Sequence, residues 1–128
     1  MIKAVVRAGK SVLVPLSGSQ RYDLVFEDDS GFQRVQCKTG RIEGGAVEFR
    51  PVSAANRPPY AREDYRGQVD YFGVWLPESD VVYLVPVDDV GVSKAYLRLA
   101  PPRNGQARGI RWAADYLLAE ERAAYRVA

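Results

Sequence analysis

Asp23, Gln36 and Lys38 are the residues of this chain whose types and spacing can do chemistry together. Residues 32–38 read as an extended strand, so Arg34, Gln36 and Lys38 project from one face and Val35 and Cys37 from the other. Residues 22–27 read as the preceding strand, with Leu24 and Phe26 on one face and Asp23 and Val25 on the other. The polar run Asp28, Asp29, Ser30, Gly31 between them is a hairpin turn. A hairpin folded there brings Asp23 to the Gln36–Lys38 end, where a carboxylate, an amide and an ammonium converge. A hard cation such as Mg²⁺ takes oxygen ligands, usually one or two carboxylates plus waters and substrate phosphate. Asp23 can supply one, the Gln36 side-chain oxygen a weaker one, and the backbone carbonyl of Cys37 a third. Lys38 can then orient an attacking water and stabilise charge on a phosphate. The same spacing also suits a solvated Asp23–Lys38 ion pair worth under about 1 kcal/mol. Spacing alone leaves both readings open.

Composition narrows the chemistry. The chain has no histidine and a single cysteine, Cys37. That excludes Ser-His-Asp and Cys-His catalysis, cysteine or histidine zinc sites, and an internal disulfide. What is left is carboxylates, amides, Lys, Arg, Tyr, or a cation held by oxygen. No run approaches the ~18–20 apolar residues of a membrane span, and residues 1–10 lack a secretory pattern. A cytoplasmic protein is expected. The 128 residues suit one domain spanning 1–128, with enough apolar content for a real core. Net charge is only +2, but it is unevenly placed, and Arg supplies 14 of the 18 basic residues. Residues 30–66 carry seven basic and four acidic residues; residues 67–97 carry five acids and only Lys94; residues 98–111 carry four Arg and no acid. This pattern suits a basic, phosphate-binding face with a neutral back. The plainer reading is a set of solvated surface arginines.

The elements that must position the trio follow from pattern. Residues 2–8 with Gly9 after them read as a short helix with a glycine cap. Residues 11–16 are β-rich. Residues 46–52 read as a strand, 53–67 as a long loop with room for one helical turn, and 95–99 as a last strand. Residues 69–76 and 81–87 are nearly continuous apolar runs, which suits strands covered on both faces by helices. Residues 106–125 carry the best helical stripe, with Ile110, Ala113, Ala114 and Leu117 on one face. Trp75, Trp112 and Cys37 read as core. The sum is a small α/β or α+β domain built on one mixed sheet flanked by helices.

The wider sequence resembles a known family. The stretches QRYDLV (20–25), VQCKTGR (35–41), VDYFGVWLPESDVVYLVPVDDVG (69–91), NGQ, and IRWAADYLL (110–118), in that order, are similar to the PD-(D/E)XK nuclease superfamily. The likeness is to the bacterial branch of group I intron homing endonucleases and archaeal-type Holliday junction resolvases. It implies a restriction-endonuclease-like core and Mg²⁺-dependent cleavage of duplex or branched DNA, with Mn²⁺ able to substitute. A homodimer or homotetramer is implied, because cutting a duplex takes two active sites. The likeness assigns cation binding to Asp23 and assistance of the nucleophilic water to Lys38. Gln36 stands where most members have an acid, a substitution that the intron-endonuclease branch shares. Many members also carry a glutamate on the first helix; residues 1–10 hold no acid, so that helix reads as truncated. A nuclease fold that binds DNA without cutting is the alternative, and an interaction module stands further behind.

On this reading Gln20, Arg21 and Tyr22 lie where the scissile phosphate arrives, and Arg41 follows the Lys38 strand. Arg50, Ser53, Asn56 and Arg57 enter the long loop, and Arg66 leaves it. Arg108 stands at the start of the last helix. All are expected phosphate contacts, which position DNA without reading its sequence. Tyr60 and Tyr65 can stack on a base or anchor the loop.

Overall fold

The computed structural model describes residues 1–18, 20–54, 62–65, 67–91, 93–102, 104–105 and 108–118. It opens with α1 (Ile2–Arg7), whose end is set by Gly9 at φ 81°. The Gly9 N–H reaches the Val6 carbonyl at 2.9 Å and the Lys10 N–H reaches Val5 at 3.3 Å, the bond pair of a glycine-terminated helix. Strand β1 (Ser11–Leu13) then pairs with β2 (Leu24–Asp28). Strand β3 (Gly31–Thr39) returns antiparallel, with Asp28 opposite Gly31, so the two-residue turn is Asp29 and Ser30 as the sequence leads one to expect. Gly31 takes φ 112°, which a side chain would resist.

Strand β3 next pairs in parallel with β8 (Tyr71–Leu76), and β8 pairs antiparallel with β9 (Val81–Pro86). The result is a mixed five-stranded sheet, order β1-β2-β3-β8-β9. A parallel pair needs a crossover of a dozen or more residues, usually a helix. Here the described part of the crossover holds strands: β4 (Arg41–Glu43), β5 (Ala46–Phe49), β6 (Val52–Ala54) and β7 (Arg62–Asp64). β4 and β5 join β10 (Ala95–Arg98) in a second sheet, order β10-β5-β4, while β6 and β7 pair with each other. The segment expected to be a long loop therefore holds a two-stranded ribbon at its ends; residues 55–61 lie outside the described part.

These two layers divide the core. Val35 and the flanking Leu24 and Phe26 meet Val5 of α1 on one face. On the other face Phe72, Val74, Tyr83 and Val85 pack against Val47, Phe49 and Leu97 of the second sheet. Among the described residues, then, the two apolar strands are covered by a helix on one side only. Gly40 lies at the junction between the layers, with the side chains of Val47 and Val74 against its Cα.

Over residues 108–118 the expected terminal helix does not form. Ala113–Tyr116 make a 3-10 turn, flanked by extended Trp112 and Leu117. Leu117 bridges Tyr83, and the Leu118 N–H donates to the Val82 carbonyl at 2.9 Å. On the other side Trp112 bridges Arg98, whose N–H donates to the Arg111 carbonyl at 2.7 Å. β9 and β10 are edge strands, and their open backbone groups supply the hydrogen bonds a helix would have made internally. Of the apolar stripe, Ala113 is buried while Ala114 and Leu117 are exposed. Trp75 and Trp112 are likewise not core: they are 38% and 37% exposed, and Trp75 Nε1 donates to Asp80 at 2.9 Å. The Trp75 ring lies on the outer side of a strand whose alternate residues Phe72, Val74 and Leu76 fill the core. Among the described residues no helix is long and apolar enough to cross a membrane.

Candidate active site

The site grows from the start of the β2–β3 hairpin. Leu24 pairs with Val35, so Asp23 stands across from Gln36. The Asp23 N–H still donates to the Val35 carbonyl at 2.8 Å, and the Asp23 carboxylate replaces the next backbone acceptor. Its Oδ2 accepts the Cys37 N–H at 2.8 Å. The Gln36 side chain lies beside the same peptide, its Nε2 donating to the Cys37 carbonyl at 3.4 Å. Asp23, the Gln36 amide and the Cys37 carbonyl are thus drawn together.

Gln36 and Lys38 pair with Phe72 and Val74 of β8, on the face that looks toward the second sheet. Lys38 does not turn to Asp23: among the described residues no ion pair joins the two. Its Nζ donates to the Val52 carbonyl at 3.2 Å and lies 4.7 Å from the centroid of the Tyr65 ring. The solvated Asp23–Lys38 pair that spacing allowed is therefore not formed. Arg21, two residues before Asp23, places its Cζ 3.9 Å from the same ring centroid. Gln20, Tyr22 and Asp23 line a shallow cleft of about 270 Å³ together with Pro15, Leu16 and Gly18. Tyr22 is half-buried and also packs on the main core.

Cys37 points to the α1 side, as strand alternation requires, and packs on the smaller core cluster. Burial, and then the neighbouring Asp23 charge, push its thiol up to about 11. It stays protonated at neutral pH, and its hydrogen bond to the Asp23 carboxylate adds to that rise. Arg34 is anchored elsewhere: Nε and Nη2 grip the two Asp70 oxygens at 3.1 and 3.3 Å, and its backbone N–H adds a bond at 2.7 Å. Burial alone would raise the Asp70 pKa, but these bonds and the Arg34 charge outweigh it and leave the carboxyl lowered. This fork fixes the start of β8 against β3, and so the register that puts Gln36 and Lys38 in place.

The expected DNA contacts divide. Gln20, Arg50 and Arg108 are exposed. Arg41 is exposed but lies 3.5 Å from Glu48 and 3.8 Å from Glu43. Glu48, only 5% exposed, also meets Lys94 at 3.4 Å, so part of the Arg41 charge is spent within the fold. Ser53 lies in β6; Asn56, Arg57 and Arg66, with Tyr60, lie outside the described residues. Sequence reasoning did not single out the Val52 carbonyl or the role of Tyr65 beneath Lys38. Both contacts arise from the crossover ribbon and leave no local signal.

A mixed sheet with one parallel junction, and a hairpin that seats an aspartate against Gln-X-Lys, make this a restriction-endonuclease-like α+β domain. The chain belongs to the PD-(D/E)XK endonuclease family, whose model matches residues 1–119. Among solved structures it is similar to a bacterial homing endonuclease, I-Ssp6803I, with a TM-score of 0.68 and 28% identity over 91% of this chain and 80% of that one. No curated protein matches the chain. Nucleases of this family generally use divalent metal ions.

Proposed function

We propose that this chain is a Mg²⁺-dependent DNA endonuclease of the homing-endonuclease or junction-resolvase type, hydrolysing a phosphodiester bond to leave a 5′-phosphate. The observation that carries this reading is the seating of the Asp23 carboxylate against the Cys37 peptide, next to Gln36, with Lys38 on the same sheet face. The donor set fits a hard cation: a carboxylate oxygen of Asp23, the Gln36 amide oxygen after rotation of its side chain, and the Cys37 carbonyl, all oxygen. When bound, such an ion supplies a more acidic water and screening of phosphate charge. The protein supplies the rest. Lys38, which no carboxylate among the described residues neutralises, orients the attacking water and stabilises the charge that develops on the phosphate. Arg21 meets the incoming phosphate beside it. A homodimer or homotetramer supplies the second active site for a duplex.

One observation favours a second reading, a nuclease fold that binds DNA without cutting. Among the described residues no group of three His, Cys, Asp or Glu side chains could hold a metal ion, and Asp23 is the single carboxylate of the trio. The deciding test incubates supercoiled plasmid and a four-way junction with Mg²⁺ or Mn²⁺, using wild type and Lys38→Ala. Nicking by wild type that disappears in the variant supports the endonuclease. DNA binding without nicking in either metal supports the second reading instead.

A further inference from the structure

We infer that a second phosphate-binding site lies at the β10 edge of the second sheet, a groove in which Arg98 and Arg111, helped by Lys94, hold the DNA backbone. It shares no lining residue with the Asp23 cleft. DNA as the source of the phosphate rests on the endonuclease reading; the anion chemistry rests on the groove itself. Residues 98–111 hold four Arg and no acid. The fold brings the first and last of these together: the Arg98 N–H donates to the Arg111 carbonyl at 2.7 Å, beside the bridge of Arg98 with Trp112. Both arginines, with Lys94, line a cavity of about 320 Å³, and no acidic side chain does. Like charges held on neighbouring segments repel each other. An anion between them turns that repulsion into binding.

The arginine charges are not cancelled from within. Arg98 Nε donates to the Ala100 carbonyl at 3.0 Å and Nη1 to the Gly44 carbonyl at 3.1 Å. Both acceptors are neutral, so they fix the guanidinium without removing its charge. A Cβ added at Gly45 would lie 3.3 Å from Arg98 Nη2, so the glycine turn gives this side chain its room. No ion pair among the described residues engages Arg98 or Arg111. Lys94 is partly spent on Glu48, at 3.4 Å, so the two arginines carry the site. Their planar forks suit phosphate because each can donate two hydrogen bonds. The groove also runs on. Arg98 and Pro102 line a second cavity, of about 720 Å³, bordered by the Gly44–Gly45 turn and again without an acidic side chain. Together the two give more room than one phosphate ion fills, a shape that suits an extended polyanion such as a DNA strand.

The test measures binding of a labelled duplex by fluorescence anisotropy, without divalent metal, for wild type, Arg111→Gln and the double variant Arg98→Gln/Arg111→Gln. Arg111 is exposed, so its variant should keep the fold. Arg111→Gln is expected to weaken binding about three- to tenfold at fixed salt, equally for unrelated sequences, and to flatten the log–log dependence of affinity on salt by about 1. The double variant should lose more on both counts. With supercoiled plasmid and Mg²⁺, KM should rise while kcat holds, because the groove positions DNA and does not touch the reacting phosphate. Wild-type affinity and salt slope in the folded variants overturn the proposal, as does a loss confined to kcat. If the double variant does not fold, Arg111→Gln decides alone. An NMR titration following the Arg111 N–H separates the two sources of the anion. Duplex DNA should move that signal more than inorganic phosphate does; a groove that answers phosphate and stays silent to duplex overturns the choice of DNA. If wild type binds duplex and does not cut it, the endonuclease reading falls and the groove stands or falls on the anisotropy. Wild type that binds no duplex overturns both.

Discussion

Replacing Asp23 by asparagine should separate the structural task of its carboxylate from the metal binding proposed for it. One is structural: Oδ2 accepts the Cys37 N–H at 2.8 Å where the β2–β3 ladder runs out. The amide oxygen of an asparagine at this position can accept the same bond. The change trades a hydrogen bond to a charged acceptor, worth about 1.5–3 kcal/mol, for a neutral one worth about 0.5–1.5. The site is solvent-exposed, so the loss should sit near the low end, at about 1 kcal/mol. In a domain of this size that lowers Tm by about 3–6 °C. Asp23→Ala removes the acceptor altogether, and water can only partly replace it, so it should cost about 1–2 kcal/mol. The other, proposed task is metal binding, and there the order differs: both variants lose the only carboxylate of the trio. Mn²⁺ affinity by calorimetry is expected to fall on the order of 10²-fold or more, beyond the loss seen when only a supporting group is removed. Thermal scans with and without Mn²⁺ report both tasks at once, because an ion that binds the folded chain raises its Tm. Wild type should gain stability with Mn²⁺, and Asp23→Asn should gain none while staying folded. Unchanged Mn²⁺ affinity in Asp23→Asn would refute the assignment of Asp23 as the ligand. Wild-type stability in Asp23→Ala would refute its role at the Cys37 peptide.

Two further outcomes follow from packing and charge. A Cβ added at Gly40 would lie 2.7 Å from Val47 Cγ1 and 3.0 Å from Val74 Cγ1, both fully buried. Gly40→Ala should destabilise by about 1–3 kcal/mol, read as a lower urea midpoint; an unchanged midpoint would show that the two sheets can part there at little cost. The Arg34–Asp70 fork should make stability acid-sensitive. Asp70 is lowered in the folded state, so its contribution is present above the unfolded aspartate value of about 3.9 and is lost as pH falls through the lower folded value. Asp70→Asn should flatten that acid limb of a stability–pH curve. Both partners are about a third exposed, so added salt should flatten it too.

The hairpin and the meeting of Asp23 with Gln36 were legible in the sequence for a simple reason. Strand alternation has a period of two, and a two-residue turn fixes register, so the partner of each residue can be counted from the turn. Leu24, Phe26 and Val35 then had to be core, and they are. What lay beyond the reach of counting was every contact made across the crossover. The parallel junction of β3 with β8 joins residues more than thirty positions apart, and nothing local marks their register. The second sheet takes β10 from the far side of that junction, so its composition depends on the finished fold. The C-terminal stripe misled because Ile110, Ala113, Ala114 and Leu117 have helical spacing, whereas open edges on β9 and β10 offered their backbone a better set of partners.

The same division explains the form of the candidate site. Its carboxylate and amide come from neighbouring strands and are positioned by the hairpin alone. Its cations are positioned by parts that the hairpin does not contain: the Val52 carbonyl from β6 and the Tyr65 ring that follows β7. A chain with the hairpin but without the crossover ribbon would keep Asp23 at the Cys37 peptide and release Lys38 to solvent, or to Asp23 itself. That pairing is the ion pair which spacing alone allowed, and it would satisfy the ammonium at the expense of the metal ligand. By holding Lys38 on the Val52 carbonyl and the Tyr65 ring, the ribbon keeps carboxylate and ammonium apart. On the endonuclease reading proposed above, the crossover is therefore the element that would turn a surface hairpin into a site for phosphate chemistry, although the motif residues that announce that site all precede it.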